Sequence, residues 1–209
     1  VVADVDDKGA LATVEACHDI RPNSAVAVHC DVTNREHLKE AVSSGKAHFG
    51  KELDIMVNNA GIAVNDGEMG SPAKWKKMVQ INLVAVIEGT HLAIDAMQSK
   101  ETPSGVILNI SSMAGIFPQP LTPVYSAVKS GVAMFTRSLK QLEHTSNIRV
   151  VALAPNFVET PIIQDIRDYL VTTTSRILTV EEVADCALEL VRDDKKQGGG
   201  AVLQIAPTQ

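Results

Sequence analysis

Short apolar runs alternate with longer stretches of helical periodicity along the whole chain, and this alternation limits the fold more than any other feature. VVAD at the start, AVAVHC (Ala25 to Cys30), LDIMVNN (Leu53 to Asn59), GVILNIS (Gly105 to Ser111), IRVVALAP and AVLQIA are short, apolar and rich in β-branched residues. Continuous apolar runs of that length suit strands buried on both faces, the kind found in parallel sheets covered by helices. Between them lie helical patterns running to about His18, towards Phe49, from Ser71 to about Met97, from residue 123 to 144, and through VADCALELV. Helix starts are marked by Asp6 and Asp7, by Ser71 before Pro72, and by two capping-box pairs, Thr33 with Glu36 and Thr179 with Glu182. The alternation predicts an α/β, doubly wound (Rossmann-type) parallel sheet. No linker, repeat or low-complexity segment interrupts it, so residues 1–209 read as one domain.

Charge and composition exclude several classes. A net charge of −6 gives no electrostatic footprint for nucleic acid or an anionic membrane. No apolar run is long enough to span a bilayer, and no signal-peptide pattern opens the chain. Cys17, Cys30 and Cys186 are widely spaced and the six His are scattered, so neither a disulfide framework nor a metal site is indicated. The reading is of reduced thiols in a cytoplasmic protein.

The chemistry concentrates in SMAGIFPQPLTPVYSAVK, from Ser112 to Lys129. Tyr125 and Lys129 stand four residues apart, so on a helix they share a face with Cβ atoms about 5–6 Å apart. An ammonium at that distance is expected to lower the phenol pKa from its usual ~10. A phenol so tuned exchanges a proton with an alcohol or carbonyl oxygen, and Ser112 supplies a second hydrogen bond to that oxygen. A Tyr and a Lys four apart are common on helices; the upstream Ser, the NNAG run and the NISS strand end are what set this pair apart.

With these motifs the chain resembles the short-chain dehydrogenase/reductases, whose catalytic group is Asn, Ser, Tyr and Lys. Within them it is most similar to the NAD-dependent 15-hydroxyprostaglandin dehydrogenase branch, through CDVT, NNAG, INLVAVIEGTHLAIDAM, PVYSAVKSGVAMFTRS, PNFVET and GGAVLQI. The resemblance implies catalytic roles for Asn82, Ser112, Tyr125 and Lys129, with Asn82 on a helix-bulge backbone and a water of the proton relay. It implies NAD as cofactor. Asp4, at the end of the first strand, would accept hydrogen bonds from the adenosine ribose and repel a 2′-phosphate, favouring NAD over NADP. Asp31 would meet the adenine amino group and Val32 the ring, with Val5 and Cys30 beside them. Asn59 and Ala60 would border the ribose, while Asn58 holds strands together. Val158 and Thr160 would hold the nicotinamide, and Tyr125 and Lys129 also contact the cofactor. Asn156 replaces the Gly of the family's PGxxxT pattern, and a left-handed backbone is expected there. Ser112, Thr122 and Tyr125 would face the substrate, a small secondary alcohol or ketone. Thr122, where the branch carries a contacting Gln, and the short segment 161–178 count against prostaglandin itself. Homodimers or homotetramers are implied, packed through helices 71–97 and 123–144.

One family element is missing from the expected place. No TGxxxGxG turn precedes Asp4; Gly61, Gly67 and Gly70 have other spacing, and Gly198 to Gly200 read as a turn before the last strand. The sequence therefore reads as an amino-terminally truncated dinucleotide-binding oxidoreductase domain lacking the first strand and first helix. Loss of a central strand predicts a sheet split beside it. A competing reading is a non-catalytic isoform or fragment that keeps only the association surface; an NADP-dependent carbonyl reductase is disfavoured by Asp4.

Overall fold

The structure, a computed structural model, describes residues 1–63, 71–120, 122–173, 176–193 and 197–206. Gly67 and Gly70 lie outside the described residues. Strands β1 (Val2–Asp4) and β2 (Ala27–His29) pair in parallel, with Val2 opposite Ala27 and Asp4 opposite His29. Strands β3 (Ile55–Asn58), β4 (Gly105–Ile110), β5 (Ile148–Pro155) and β6 (Val202–Ile205) form a second parallel sheet in that order. The strands are connected through helices α1 (Asp7–Ile20), α2 (Arg35–Phe49), α3 (Pro72–Val79), α4 (Ala85–Gln98), α5 (Pro123–Ser138), α6 (Leu142–Ser146), α7 (Arg167–Thr173) and α8 (Val180–Arg192).

The four-stranded sheet is covered on both faces. Ile107 and Val150 pack with Ala93 and Met97 of α4, while their neighbours Leu108 and Val151 pack with Leu178 and Leu190. This is the period-2 alternation of strands, with each face given its own helical layer. All eight residues of β5 are buried, which is why its sequence is apolar without interruption. The doubly wound parallel fold is therefore as the sequence pattern predicts.

Between the two sheets runs a cleft of about 390 Å³, bordered by Val1, Ala3 and Asp4 on one side and by Ile55, Met56 and Val57 on the other. Among the described residues β1 pairs only with β2, and β3 only with β4, so their other edges face this cleft. Ile55 and Val57 are 48% and 47% exposed, unusual for β-branched residues of a parallel sheet. The split falls where the sequence placed it.

Several local expectations are corrected. Asn34, not Thr33, caps α2, accepting the Glu36 N–H at 3.0 Å, while the Thr33 hydroxyl turns back to Asp31 at 2.7 Å. Glu36 pairs with Lys39, so no capping box forms there, whereas Thr179 and Glu182 do form one. The helix from Pro72 to Gln98 is interrupted by a π-turn, Gln80–Val84. α5 ends at Ser138, and a separate α6 follows. Asn156 is not among the described residues with positive φ, so the left-handed turn expected of it is not formed; its N–H donates to the Ile205 carbonyl at 2.8 Å, continuing the pairing with β6. Among the described residues no helix is long and apolar enough to cross a membrane.

Candidate active site

The parallel strands deliver the expected site residues to one edge, the carboxyl ends, where ligands of open α/β sheets bind. Ser112 follows β4 and caps a 3₁₀ turn, Met113–Gly115, its Oγ accepting the Ala114 N–H at 3.2 Å. Pro123 opens α5 at a position where its missing N–H costs nothing, and Tyr125 and Lys129 follow one turn apart. Lys129 is 4% exposed; its Nζ donates to the Ile110 carbonyl at 2.7 Å and lies 5.7 Å from the centre of the Tyr125 ring.

The electrostatics correct the expectation for the phenol. Burial pushes the Tyr125 hydroxyl above its ordinary range, and the nearby Ser112 hydroxyl draws it only part of the way back. Burial also lowers the Lys129 ammonium to about 8. Desolvation disfavours the charged form of both groups, and the lysine proton is directed to a backbone carbonyl instead of the phenol.

Asn82 lies in the π-turn and is fully buried. Its Nδ2 donates to the Ile62 carbonyl at 2.7 Å and its Oδ1 accepts the Ile62 N–H at 2.8 Å. The side chain thus holds the segment just after NNAG rather than the helix's own bulge. A Cβ placed on Gly61 would stand 3.5 Å from Asn82 Oδ1 and 3.8 Å from Lys129 Nζ, so both side chains converge beside Gly61. A π-turn re-aims one residue of a helix and recurs at functional sites.

At the other end, Asp4, Val5, Cys30, Asp31 and Val32 cluster at the ends of β1 and β2, with the Cys30 N–H donating to the Asp4 carbonyl at 2.8 Å. Cys30 is buried, while Asp4, Val5 and Asp31 are exposed. Asp6 caps α1, at the helix start its sequence marks, and Asp4 Oδ1 accepts the Asp6 N–H at 2.9 Å. The Asp31 carboxyl is held below its usual range by the Thr33 hydroxyl and N–H. Asn59 and Ala60 line the cleft. Past β5, Val158 bridges to Leu178, and the Thr160 hydroxyl donates to the Val158 carbonyl at 3.3 Å. Thr122 is the residue preceding α5 and makes no side-chain cap.

This donor set fits the two ends of a dinucleotide. Exposed carboxylates stand at the ends of β1 and β2, and an ammonium and a hydroxyl stand beyond β4 and β5. The start of α1 carries Asp6 and Asp7 and so does not favour phosphate.

Asn58 ties β3 to β4 through Asn109, as expected of it, but sequence reasoning gave no role to the rest of the buried polar chain behind the site. Asn58 Nδ2 donates to Asn109 Oδ1 at 2.8 Å and to Thr90 Oγ1 at 3.1 Å, and Asn109 Nδ2 donates to Thr136 Oγ1 at 3.0 Å. An Asn inside the apolar run GVILNIS is the signal that would have found it.

A family model described as short chain dehydrogenase matches residues 1–170. The 15-hydroxyprostaglandin dehydrogenase (NAD(+)) of Rattus norvegicus is 33% identical over 205 residues, covering 90% of this chain and 73% of that protein. Its Bos taurus namesake is 40% identical over 148 residues, covering 69% and 53%. The matched segment thus spans about half the length of that curated relative and others of its name. A crystal structure of a 3-oxoacyl-(acyl-carrier protein) reductase with bound NAD from Brucella melitensis superposes with a TM-score of 0.83 at 29% identity, covering 98% of this chain and 78% of that one.

Proposed function

Since the chain belongs to the short-chain dehydrogenase family, we propose that it acts as an NAD-dependent oxidoreductase interconverting a secondary alcohol and a ketone. The observation that carries this reading is the gathering of Ser112, Tyr125 and Lys129 at the carboxyl ends of a parallel sheet, with Lys129 Nζ 5.7 Å from the centre of the Tyr125 ring and the turn after Ser112 lying on α5. Ser112 Oγ and the Tyr125 hydroxyl hold the substrate oxygen between them. In oxidation Tyr125 takes the proton of the substrate hydroxyl; in reduction it returns one to the new alkoxide. NAD, when bound, supplies the carbon that accepts or donates the hydride. Lys129 serves the phenol by turning its ammonium from the Ile110 carbonyl towards the nicotinamide ribose and Tyr125. Asn82 fixes the wall beside the lysine and holds the relay water. Asp4 and Asp31 take the adenosine end, with Val5, Cys30, Val32, Asn59 and Ala60 around it, and Val158 and Thr160 take the nicotinamide end. Thr122 and Ser112 face the substrate, which the short segment 161–178 sets apart from prostaglandin. A homodimer or homotetramer in the cytoplasm, packed through α3–α4 and α5, completes the reading; Met134 of α5, 59% exposed, supplies apolar surface.

We further infer that the cleft between β1 and β3 is the place of the family's first strand and phosphate-binding turn. Two unpaired parallel edges and exposed Ile55 and Val57 support this. The same cleft favours a second reading, a non-catalytic chain that retains association surfaces, because it separates the residues for the two ends of the dinucleotide.

Titration calorimetry with NAD, followed by NADH formation from a panel of secondary alcohols, tests both readings. For the 209-residue chain alone, weak binding and no turnover are expected. A form carrying a Gly-rich segment fused ahead of Val1 should bind NAD and turn over. Failure of that form with every alcohol and ketone would leave the non-catalytic reading standing.

A further inference from the structure

Gly115 closes the 3₁₀ turn that begins at Ser112, and it lies directly on the backbone of α5. A Cβ at this position would stand 2.5 Å from the Lys129 carbonyl carbon, 2.6 Å from its oxygen and 2.8 Å from the Ser130 nitrogen. All three are main-chain atoms of a helix and cannot rotate away. Two hydroxyls tie the same peptide: Ser111 Oγ donates to the Lys129 carbonyl at 2.8 Å, and Ser130 Oγ donates to the Gly115 carbonyl at 2.8 Å. The turn carrying Ser112 is therefore clamped to α5 one helical turn beyond Tyr125.

We propose that Gly115, with Ser111 and Ser130, is a positioning residue that sets the spacing of Ser112 from Tyr125. The proposal rests on the catalytic pairing given above. Ordinary van der Waals contact begins near 3.4 Å, so a methyl group at Gly115 lifts the turn from α5 by roughly 1 Å. An O–H···O bond tolerates about 2.5–3.0 Å between oxygens, so a lift of that size moves Ser112 away from a substrate oxygen shared with Tyr125 and from the phenol itself. The hydrogen bonds of Ser112 go to Ala114 and to the Pro155 carbonyl at 3.5 Å, so neither ties it to α5 and restores the distance.

The chain has two tyrosines, so a Tyr169→Phe protein labelled with 3-fluorotyrosine reports Tyr125 alone, whether or not it turns over. Ring fluorine acidifies the phenol and brings its titration, followed by fluorine resonance, into a range where the fold persists. Gly115→Ala and Ser112→Ala should each raise the Tyr125 midpoint by a similar amount, roughly 0.4–1 pH unit. Their combination should raise it no further, because both changes act through the Ser112 hydroxyl. Ser130→Ala, which adds no atoms, should shift it less and in the same direction, and should have no effect in the Ser112→Ala background. It serves as the test if Gly115→Ala does not fold. Additive shifts, or a shift in Ser112→Ala without one in Gly115→Ala or Ser130→Ala, overturn the positioning role and leave the catalytic pairing intact. No shift in Ser112→Ala removes the pairing itself, and the proposal with it.

Discussion

Lys129 Nζ lies 5.7 Å from the centre of the Tyr125 ring, yet its short hydrogen bond, 2.7 Å, is made to the Ile110 carbonyl. Helical spacing brings the two residues to one face, and burial then disfavours charge on both. The phenol is pushed up and the ammonium down to about 8, so on raising the pH the lysine is the first of the pair to lose its proton. In this structure the ammonium is held by the Ile110 carbonyl and makes no hydrogen bond to the phenol.

Lys129 should leave a signature in the pH dependence of stability. Its pKa falls from 10.5 when unfolded to about 8 when folded, so between those values the unfolded chain binds more protons. Stability from this group therefore rises with pH across that window, by on the order of 3 kcal/mol. Tyr125, raised above 10.0, opposes the rise at the upper end, where the unfolded chain deprotonates first. Urea unfolding at several pH values should show the rise in the parent and its loss in Lys129→Met. A rise that survives the substitution assigns it to another group.

Tyr125→Phe should leave the fold intact and lower turnover of an NAD-binding form of the chain by roughly 10²–10⁴-fold. The phenylalanine keeps the ring and loses the proton. Steady-state kinetics with a reactive secondary alcohol measures this, and near-normal turnover would refute the role given to the phenol.

Asp4 should set the cofactor preference. Its exposed carboxylate at the end of β1 is a like-charge neighbour for a 2′-phosphate, worth roughly tenfold or more in favour of NAD. Asp4→Ser should narrow the ratio of kcat/KM values for NAD and NADP. An unchanged ratio separates Asp4 from the ribose.

Gly89 should resist substitution despite lying in a helix. A Cβ there would stand 2.4 Å from Asn58 Oδ1, and that amide is fixed by its bonds to Thr90 and Asn109. Gly89→Ala gains up to ~1 kcal/mol of helix propensity. Crowding a locked buried amide costs about 1–3 kcal/mol. A net loss of stability is expected by denaturant unfolding, relieved in an Asn58→Ser background. A more stable Gly89→Ala protein would show that the amide yields freely.

What was legible in the sequence depended on how local its cause was. IRVVALAP matches β5 residue for residue because every one of its side chains is buried. Thr179 and Glu182 cap α8 as their spacing says, but Thr33 lost the same role to Asn34, an equally good cap one residue later. The four catalytic candidates gather at one edge of the sheet, as their motifs imply. Their interactions were not legible. Asn82 bonds Ile62 because a π-turn rotates it there, and a π-turn leaves apolar spacing almost undisturbed. Lys129 faces Ile110 because of where β4 ends, and Gly115 is required by a helix backbone that sequence distance conceals.

The division of the sheet also orders how the molecule comes apart. β1 and β2 contribute three residues each, too few strands for a sheet that stands by itself, whereas β5 is enclosed on both faces and both edges. Opening of the two-stranded part therefore precedes global unfolding. Amides of β1 and β2 should exchange with solvent deuterium well before those of β5. The carboxylates at Asp4 and Asp31 ride on the part that opens first, so on warming they leave their places while the Tyr125 corner is still assembled. A dinucleotide spanning both parts would act as a splint, and the slowing of exchange in β1 and β2 would measure its grip.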